Sequence, residues 1–206
     1  MTALATGGVY ALLDLDSIAP DRALFMVRDV LVAGIGLLQL RDKRRRTDAT
    51  WRAKLGESCR AHRVPLLIND DLSAAQQADG IHLGLGDTPI AEARRTLGPA
   101  ALIGATCHDS LDHAARAADQ GADYLSFGRF FVSRTKPHAP PADPAVITRA
   151  RARFARPIVA IGGINPDNGG ELVAAGAHWL CVGHALFASA DPAATVRQLR
   201  ALFPTD

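Results

Sequence analysis

Six times along the 206-residue chain an apolar, strand-like run stops at groups suited to holding phosphate or metal, and a helical pattern separates each run from the next. The runs span 36–43, 64–70, 81–87, 101–106, 124–136 and 158–164. Parallel strands joined through helices carry their C-terminal ends on one face, so polar groups far apart in sequence converge on one pocket. Strands are expected at about 9–14, 36–41, 65–69, 80–83, 101–105, 123–127, 157–161 and 179–183. Their hydrophobicity is nearly continuous, the mark of strands covered on both faces. Amphipathic helices are expected at about 21–33, 48–62, 71–78, 89–97, 110–120, 143–154, 167–175 and 189–203.

Start and stop signals support these helices. Thr47, Thr88-Pro89 and Asp143-Pro144 stand at starts, as capping residues and first-turn prolines do. Gly34, Gly98, Gly121 and Gly176 stand at stops. Eight strand–helix pairs predict an α/β fold, a single (β/α)8 TIM barrel of the phosphate-binding type, over residues 1–206 with about 1–8 as a frayed lead-in. An open doubly wound sheet would need a G-x-G-x-x-G fingerprint after the first strand. Leu13-Asp-Leu-Asp-Ser17 offers none. The loop of about 128–142, with Pro137, Pro140 and Pro141, is the longest connection, and long loops over a barrel mouth serve as lids or binding loops.

With 23 basic against 21 acidic residues, the chain lacks the dominant basic face of a general nucleic-acid binder. No apolar stretch approaches the roughly 20 residues of a membrane span, so neither nucleic acid nor membrane is expected as a partner. Cys59, Cys107 and Cys181 show no ligand spacing for zinc. Sparse thiols without a signal-peptide pattern lead us to expect a reducing cytoplasm. A homo-oligomer is left open.

Asn69 and Asp70 directly follow one apolar run, and Asp87 follows the next. Adjacent barrel strands would bring them within reach of one ion, and two carboxylates with few other ligands suit Mg²⁺. Capping is the competing reading: Asp70 or Asp71 for one helix and Asp87 for the next, with Asp71 the better cap. Gln39, Arg41 and Lys43 alternate at a strand end and so share one face. That face suits a phosphorylated ligand with a polar ring, whereas Arg44 to Arg46 read as a charged rim. Lys136 adds a cation beside the hydroxyls of Ser133 and Thr135, a phosphate cradle in type. Glycines at 162–163 and 183 end the last two strands, where phosphate-binding barrels place the anion; tight turns alone would also explain them. His82 reads as a satisfied core residue. His108 and His184 stand at strand ends, while His62, His113, His138 and His178 read as surface positions.

In order, QLRDK at 39–43, IND at 68–70, HLGLGD at 82–87, IGATCH at 103–108, TK at 135–136 and AIGGI at 160–164 resemble the thiamine-phosphate synthase (pyrophosphorylase) family of small barrels. The resemblance runs from about 36 to 186. It implies a transferase that joins an aminopyrimidine methyl diphosphate to a thiazole phosphate and releases diphosphate. By motif it assigns Gln39, Arg41, Lys43, Asn69, Thr106 and Lys136 to the pyrimidine diphosphate, with Arg41, Lys43 and Lys136 catalytic. Asp70 and Asp87 would hold Mg²⁺, and Ser133, Arg134, Thr135, Gly163, Gly183 and His184 would surround the thiazole phosphate. The stretch Gly128-Arg-Phe-Phe-Val-Ser-Arg-Thr-Lys136 departs from the family's commoner G-P-x-F-P-T-x-T-K, and His184 replaces a usual serine. Two rivals remain: a thiazole tautomerase, which resembles this chain but uses a histidine near the position of Arg129, and a non-catalytic thiamine-phosphate-binding regulator.

Overall fold

A computed structural model describes residues 7–132 and 140–204 of the chain. The first half runs β1 (Gly8–Asp14), α1 (Pro20–Val32), β2 (Leu37–Arg41), α2 (Ala49–Ala61), β3 (Leu66–Asn69), α3 (Leu72–Ala75), β4 (Gly80–Leu83) and α4 (Ile90–Leu97). The second half runs β5 (Leu102–His108), α5 (Leu111–Asp119), β6 (Tyr124–Phe127), α6 (Ala145–Arg153), β7 (Ile158–Ile161), α7 (Gly169–Ala174), β8 (Trp179–Val182), α8 (His184–Phe187) and α9 (Pro192–Arg200). The strands form one closed barrel in sequence order, β1 to β8, and every pairing is parallel. The expected (β/α)8 barrel is the fold.

Period two divides each strand between two cores. Val9, Ala11, Leu13, Leu38, Leu40, Ile81, Ile103 and Leu180 belong to the outer core beneath the helices. Tyr10, Leu12, Leu37, Leu67, Leu102, Tyr124, Val159, Trp179 and Cys181 form a second core inside the barrel. Each fully buried aliphatic side chain contributes about 1.5–3 kcal/mol relative to exposure. Helix α1 shows how the outer layer docks: Ala23, Met26, Val27, Val30 and Leu31 make one buried stripe, the spacing of an amphipathic helix face. Gly104 is required inside the barrel, because a Cβ there would lie 1.9 Å from Cζ of the Tyr124 ring.

Two inward positions per strand then separate floor from mouth. Leu37 is followed by Gln39, Leu67 by Asn69 and Tyr124 by Ser126, so the polar groups sit toward the C-terminal ends of the strands. Apolar packing below holds polar side chains above, and the fold delivers them to one opening.

The helix boundaries carry corrections. The helix expected over 189–203 is the shorter α9, and the four-residue α8, His184–Phe187, precedes it without having been expected. Asp191 accepts from the Ala194 N–H, and Pro192 opens α9, which restarts the helix there. Asp48, not Thr47, caps α2 by accepting from Trp51 N–H, while Thr47 donates to Asp42 at 2.7 Å. Asp71 caps α3. The four helix-stop glycines all adopt positive φ, the left-handed region. His178 is half-buried, not a surface residue, and its Nδ1 accepts from the Ile158 N–H.

Burial controls the cysteines. It pushes the Cys59 and Cys107 thiols up to about 12 and raises that of Cys181 further. All three are free and buried. The thiolate is the reactive form, so iodoacetamide at pH 8 should alkylate the native protein at least about a hundredfold more slowly than the denatured chain. Mass spectrometry over a time course checks this; fast labelling of any one cysteine in the native protein would contradict its buried placement.

Candidate active site

The C-terminal ends of the strands surround a cavity of about 480 Å³. Ten residues to which the family resemblance assigns a role line it: Gln39, Arg41, Lys43, Asn69, Asp70, Asp87, Thr106, Gly163, Gly183 and His184. They come from six strand ends. Ser133, Arg134, Thr135 and Lys136 lie outside the described residues, as does His138 in the same loop.

One side of the cavity is ionic. Lys43 pairs with Asp70, and Arg41 Nη1 donates to Asp14 at 2.7 Å and to Asp16 at 3.0 Å. Burial works against the Arg41 charge, but the two carboxylates outweigh it and raise its pKa. Arg41 is thus a fixed cation with a clamped direction, because its partners come from the end of β1. The expected shared face of Gln39, Arg41 and Lys43 is present, and Gln39 Nε2 donates to Asn69 Oδ1 at 3.2 Å across β2 and β3. The rim arginines are less uniform than expected. Arg44 meets Asp16 at 3.3 Å, and Arg46 donates to the Leu15 carbonyl.

Asp70 and Asp87 interact side chain to side chain. Burial pushes the Asp70 carboxyl up and Asp87 adds to this, while Lys43 opposes both. For Asp87, burial is outweighed by hydrogen bonds from Asp70 and the Gly84 N–H, and its carboxyl is held below the usual range. Asp70 is therefore the member of the pair that takes up a proton first as pH falls. Two carboxylates this close are hard oxygen ligands with mutual repulsion, a donor set suited to a divalent cation. Among the described residues no cluster of three or more His, Cys, Asp or Glu side chains could hold a metal, so such an ion would take its other oxygens from water and ligand. The capping alternative for Asp87 is not what the geometry shows. Its carboxylate accepts from Gly84 N–H at 2.7 Å, and Pro89 occupies the N-cap of α4.

Across the barrel, β7 and β8 end in glycines. Gly162 and Gly163 have φ of +106° and +70°, and a Cβ on Gly163 would lie 2.4 Å from the Val132 carbonyl oxygen. The segment after β6 rests directly on them: Phe130 N–H donates to Ile161 and Phe131 N–H to Gly162 at 3.0 Å. These glycines seat the loop as well as opening backbone toward the cavity. Gly183 is the N-cap of α8, and His184 opens that helix. A short extra helix after the eighth strand is where many barrels of this architecture bind phosphate.

His82 is buried, as expected of a core residue, yet it also lines the cavity. Its Nε2 meets Thr106 Oγ1 at 2.9 Å and its Nδ1 meets the Tyr124 hydroxyl at 2.8 Å. His108 reaches the cavity from an irregularity at the end of β5, with φ +54°. Sequence reasoning missed Ser126 and Asn165 as lining residues and Asp14 and Asp16 as partners of Arg41. Period two from Tyr124 would have pointed Ser126 inward, and period two from Tyr10 does the same for Asp14. Asn165 has no comparable signal, because its place follows from the turn it makes with Asn168.

Comparison with known proteins places the chain in a family. Residues 9–186 match the family described as thiamine monophosphate synthase. The thiamine-phosphate synthase of Alcanivorax borkumensis is 45% identical over 207 residues, covering 97% of this chain and 95% of that protein. That of Saccharophagus degradans is 46% identical over 185 residues, covering 87% and 85%. A solved thiamine phosphate pyrophosphorylase from Pyrococcus furiosus superposes with a TM-score of 0.83 at 28% identity, covering 96% and 95%. With residues 9–186 matched by the family and nearly the whole chain covered by these relatives, the chain belongs to the thiamine monophosphate synthase family.

Proposed function

We propose that the chain is a thiamine-phosphate synthase. It condenses 4-amino-2-methyl-5-(diphosphooxymethyl)pyrimidine with a 4-methylthiazole ethyl phosphate, with or without a 2-carboxylate, to give thiamine phosphate and diphosphate. The observation that carries this reading is one cavity with a cation and carboxylate cluster at the ends of β2–β4 and glycine turns across the barrel at β7 and β8. Two anionic ligands would thus enter one cavity from opposite walls.

Asp70 and Asp87 would hold Mg²⁺. When bound, that ion neutralises charge on the diphosphate oxygens. Arg41 and Lys43, with Lys136 from the lid loop, would bind the same diphosphate as its C–O bond breaks. The electron-rich aminopyrimidine stabilises the carbocation left behind, so no protein nucleophile is required. Gln39, Asn69 and Thr106 would orient the pyrimidine. Ser133, Arg134, Thr135, Gly163, Gly183 and His184 would surround the thiazole phosphate, and the loop over the mouth would keep water from trapping the cation. No helix among the described residues is long and apolar enough to cross a membrane, and the free thiols accord with a cytoplasmic setting.

Purified protein should release diphosphate only when Mg²⁺, the pyrimidine diphosphate and the thiazole phosphate are all present, with thiamine phosphate formed in equal amount. A folded protein that binds thiazole phosphate yet releases no diphosphate would refute the transferase reading.

A further inference from the structure

Beneath the cavity runs a chain of four side chains from four strands. Tyr10 Oη lies 2.9 Å from Tyr124 Oη, which lies 2.8 Å from His82 Nδ1, and His82 Nε2 lies 2.9 Å from Thr106 Oγ1. Tyr10 and Tyr124 are fully enclosed in the barrel floor, and Thr106 lines the cavity. Burial raises both phenols well above their ordinary pKa, so each keeps its hydrogen at neutral pH.

A chain of this kind has two possible directions, and its buried end decides between them. If Thr106 donated downward, His82 would donate from Nδ1 to Tyr124, and Tyr124 would donate to Tyr10. The Tyr10 hydroxyl hydrogen would then be buried, with no acceptor among the described residues. An orphaned buried donor of that kind is costly. In the opposite direction every buried hydrogen is used, and only that of Thr106 at the cavity is left over. Tyr10 donates to Tyr124, Tyr124 donates to Nδ1, and Nε2–H donates to Thr106.

We propose that His82 is a positioning residue that turns the Thr106 hydroxyl hydrogen into the cavity, so that the floor selects a ligand bearing a hydrogen-bond acceptor. Resting on the transferase reading, the acceptor belongs to the pyrimidine diphosphate, as a ring nitrogen or a phosphate oxygen. The barrel floor thereby sets the polarity of a contact whose own residue is a simple hydroxyl. Serine would serve at 106; an isosteric valine would not.

Two measurements on the full chain test this. In the ligand-free protein labelled with ¹⁵N-histidine, the His82 imidazole should be neutral, with its proton on Nε2. A proton on Nδ1, or on both nitrogens, overturns the proposal whatever the protein catalyses. In binding titrations with inorganic diphosphate and with the pyrimidine alcohol, Thr106→Val should weaken one of them about tenfold, the worth of one net hydrogen bond, and Thr106→Ser should restore it. Weaker diphosphate binding places the acceptor on phosphate, and weaker alcohol binding places it on the ring. Unchanged affinity for both in Thr106→Val overturns the proposal. A protein that fails to turn over refutes the transferase reading alone and leaves the tautomer measurement decisive.

Discussion

Asp70→Asn is expected to lower Mg²⁺-dependent diphosphate release by about a thousandfold, the upper range for removing one group that stabilises developing charge. Its melting temperature should stay the same or rise. Asp70 directly follows β3 in the left-handed region, at φ +61°, a conformation that asparagine tolerates as well as aspartate. The substitution keeps shape and backbone but removes a negative charge set against Asp87 and partnered by Lys43. Asp70→Gly sharpens the test. Glycine adopts positive φ without the steric penalty, which runs to about 1 kcal/mol or more, so this variant should be more stable and equally inactive. Steady-state diphosphate release, calorimetric Mg²⁺ titration in the presence of inorganic diphosphate, and thermal melting decide the matter. Wild-type turnover in either variant removes Asp70 from the proposed metal site.

Gly104→Ala is expected to cost about 3 kcal/mol of stability, the upper end for overpacking a core, or roughly 6–12 °C in Tm for a chain of this size. The added carbon would lie 1.9 Å from Cζ and 2.2 Å from Oη of Tyr124. The ring cannot move aside cheaply. It is fully buried, and its hydroxyl is held by both Tyr10 and His82. Gly86→Ala is the control, since a Cβ there meets nothing within 4 Å, and surface changes of this kind stay within about 0.5 kcal/mol. Equal melting temperatures for the two variants would contradict the packing described for the barrel floor.

How far the site was legible depends on the element that carries each residue. Gln39 was readable from period two at a strand end, Asn69 from its place directly after an apolar run, and Thr106 through the family motif at 103–108. The role of Asp71 as a cap was readable because capping is local. Arg41 shows the limit: its position was evident, but its clamping by Asp14 and Asp16 joins β1 to β2, and no local pattern reports a pairing across 27 and 25 residues. The short α8 was missed because its four residues are too few for a period to register. Gly162 and Gly163 were read as anion contacts or tight turns. An added Cβ on either would meet the segment after β6, a tertiary contact that a glycine pattern cannot name.

The sequence by itself determined the alternation of strands and helices, the closed barrel that eight such units make, and the family, because each follows from local periodicity or ordered motifs. Only the tertiary structure decided how the side chains at the mouth and floor partner one another. It showed that Asp70 and Asp87 interact side chain to side chain, that the loop after β6 is seated on the glycines of β7, and that Tyr10 lies two hydrogen bonds from His82. The physical reason is range. Backbone preference and hydrophobic period act over a few residues, whereas hydrogen bonds and charge pairs act across whatever space closure of the barrel brings together.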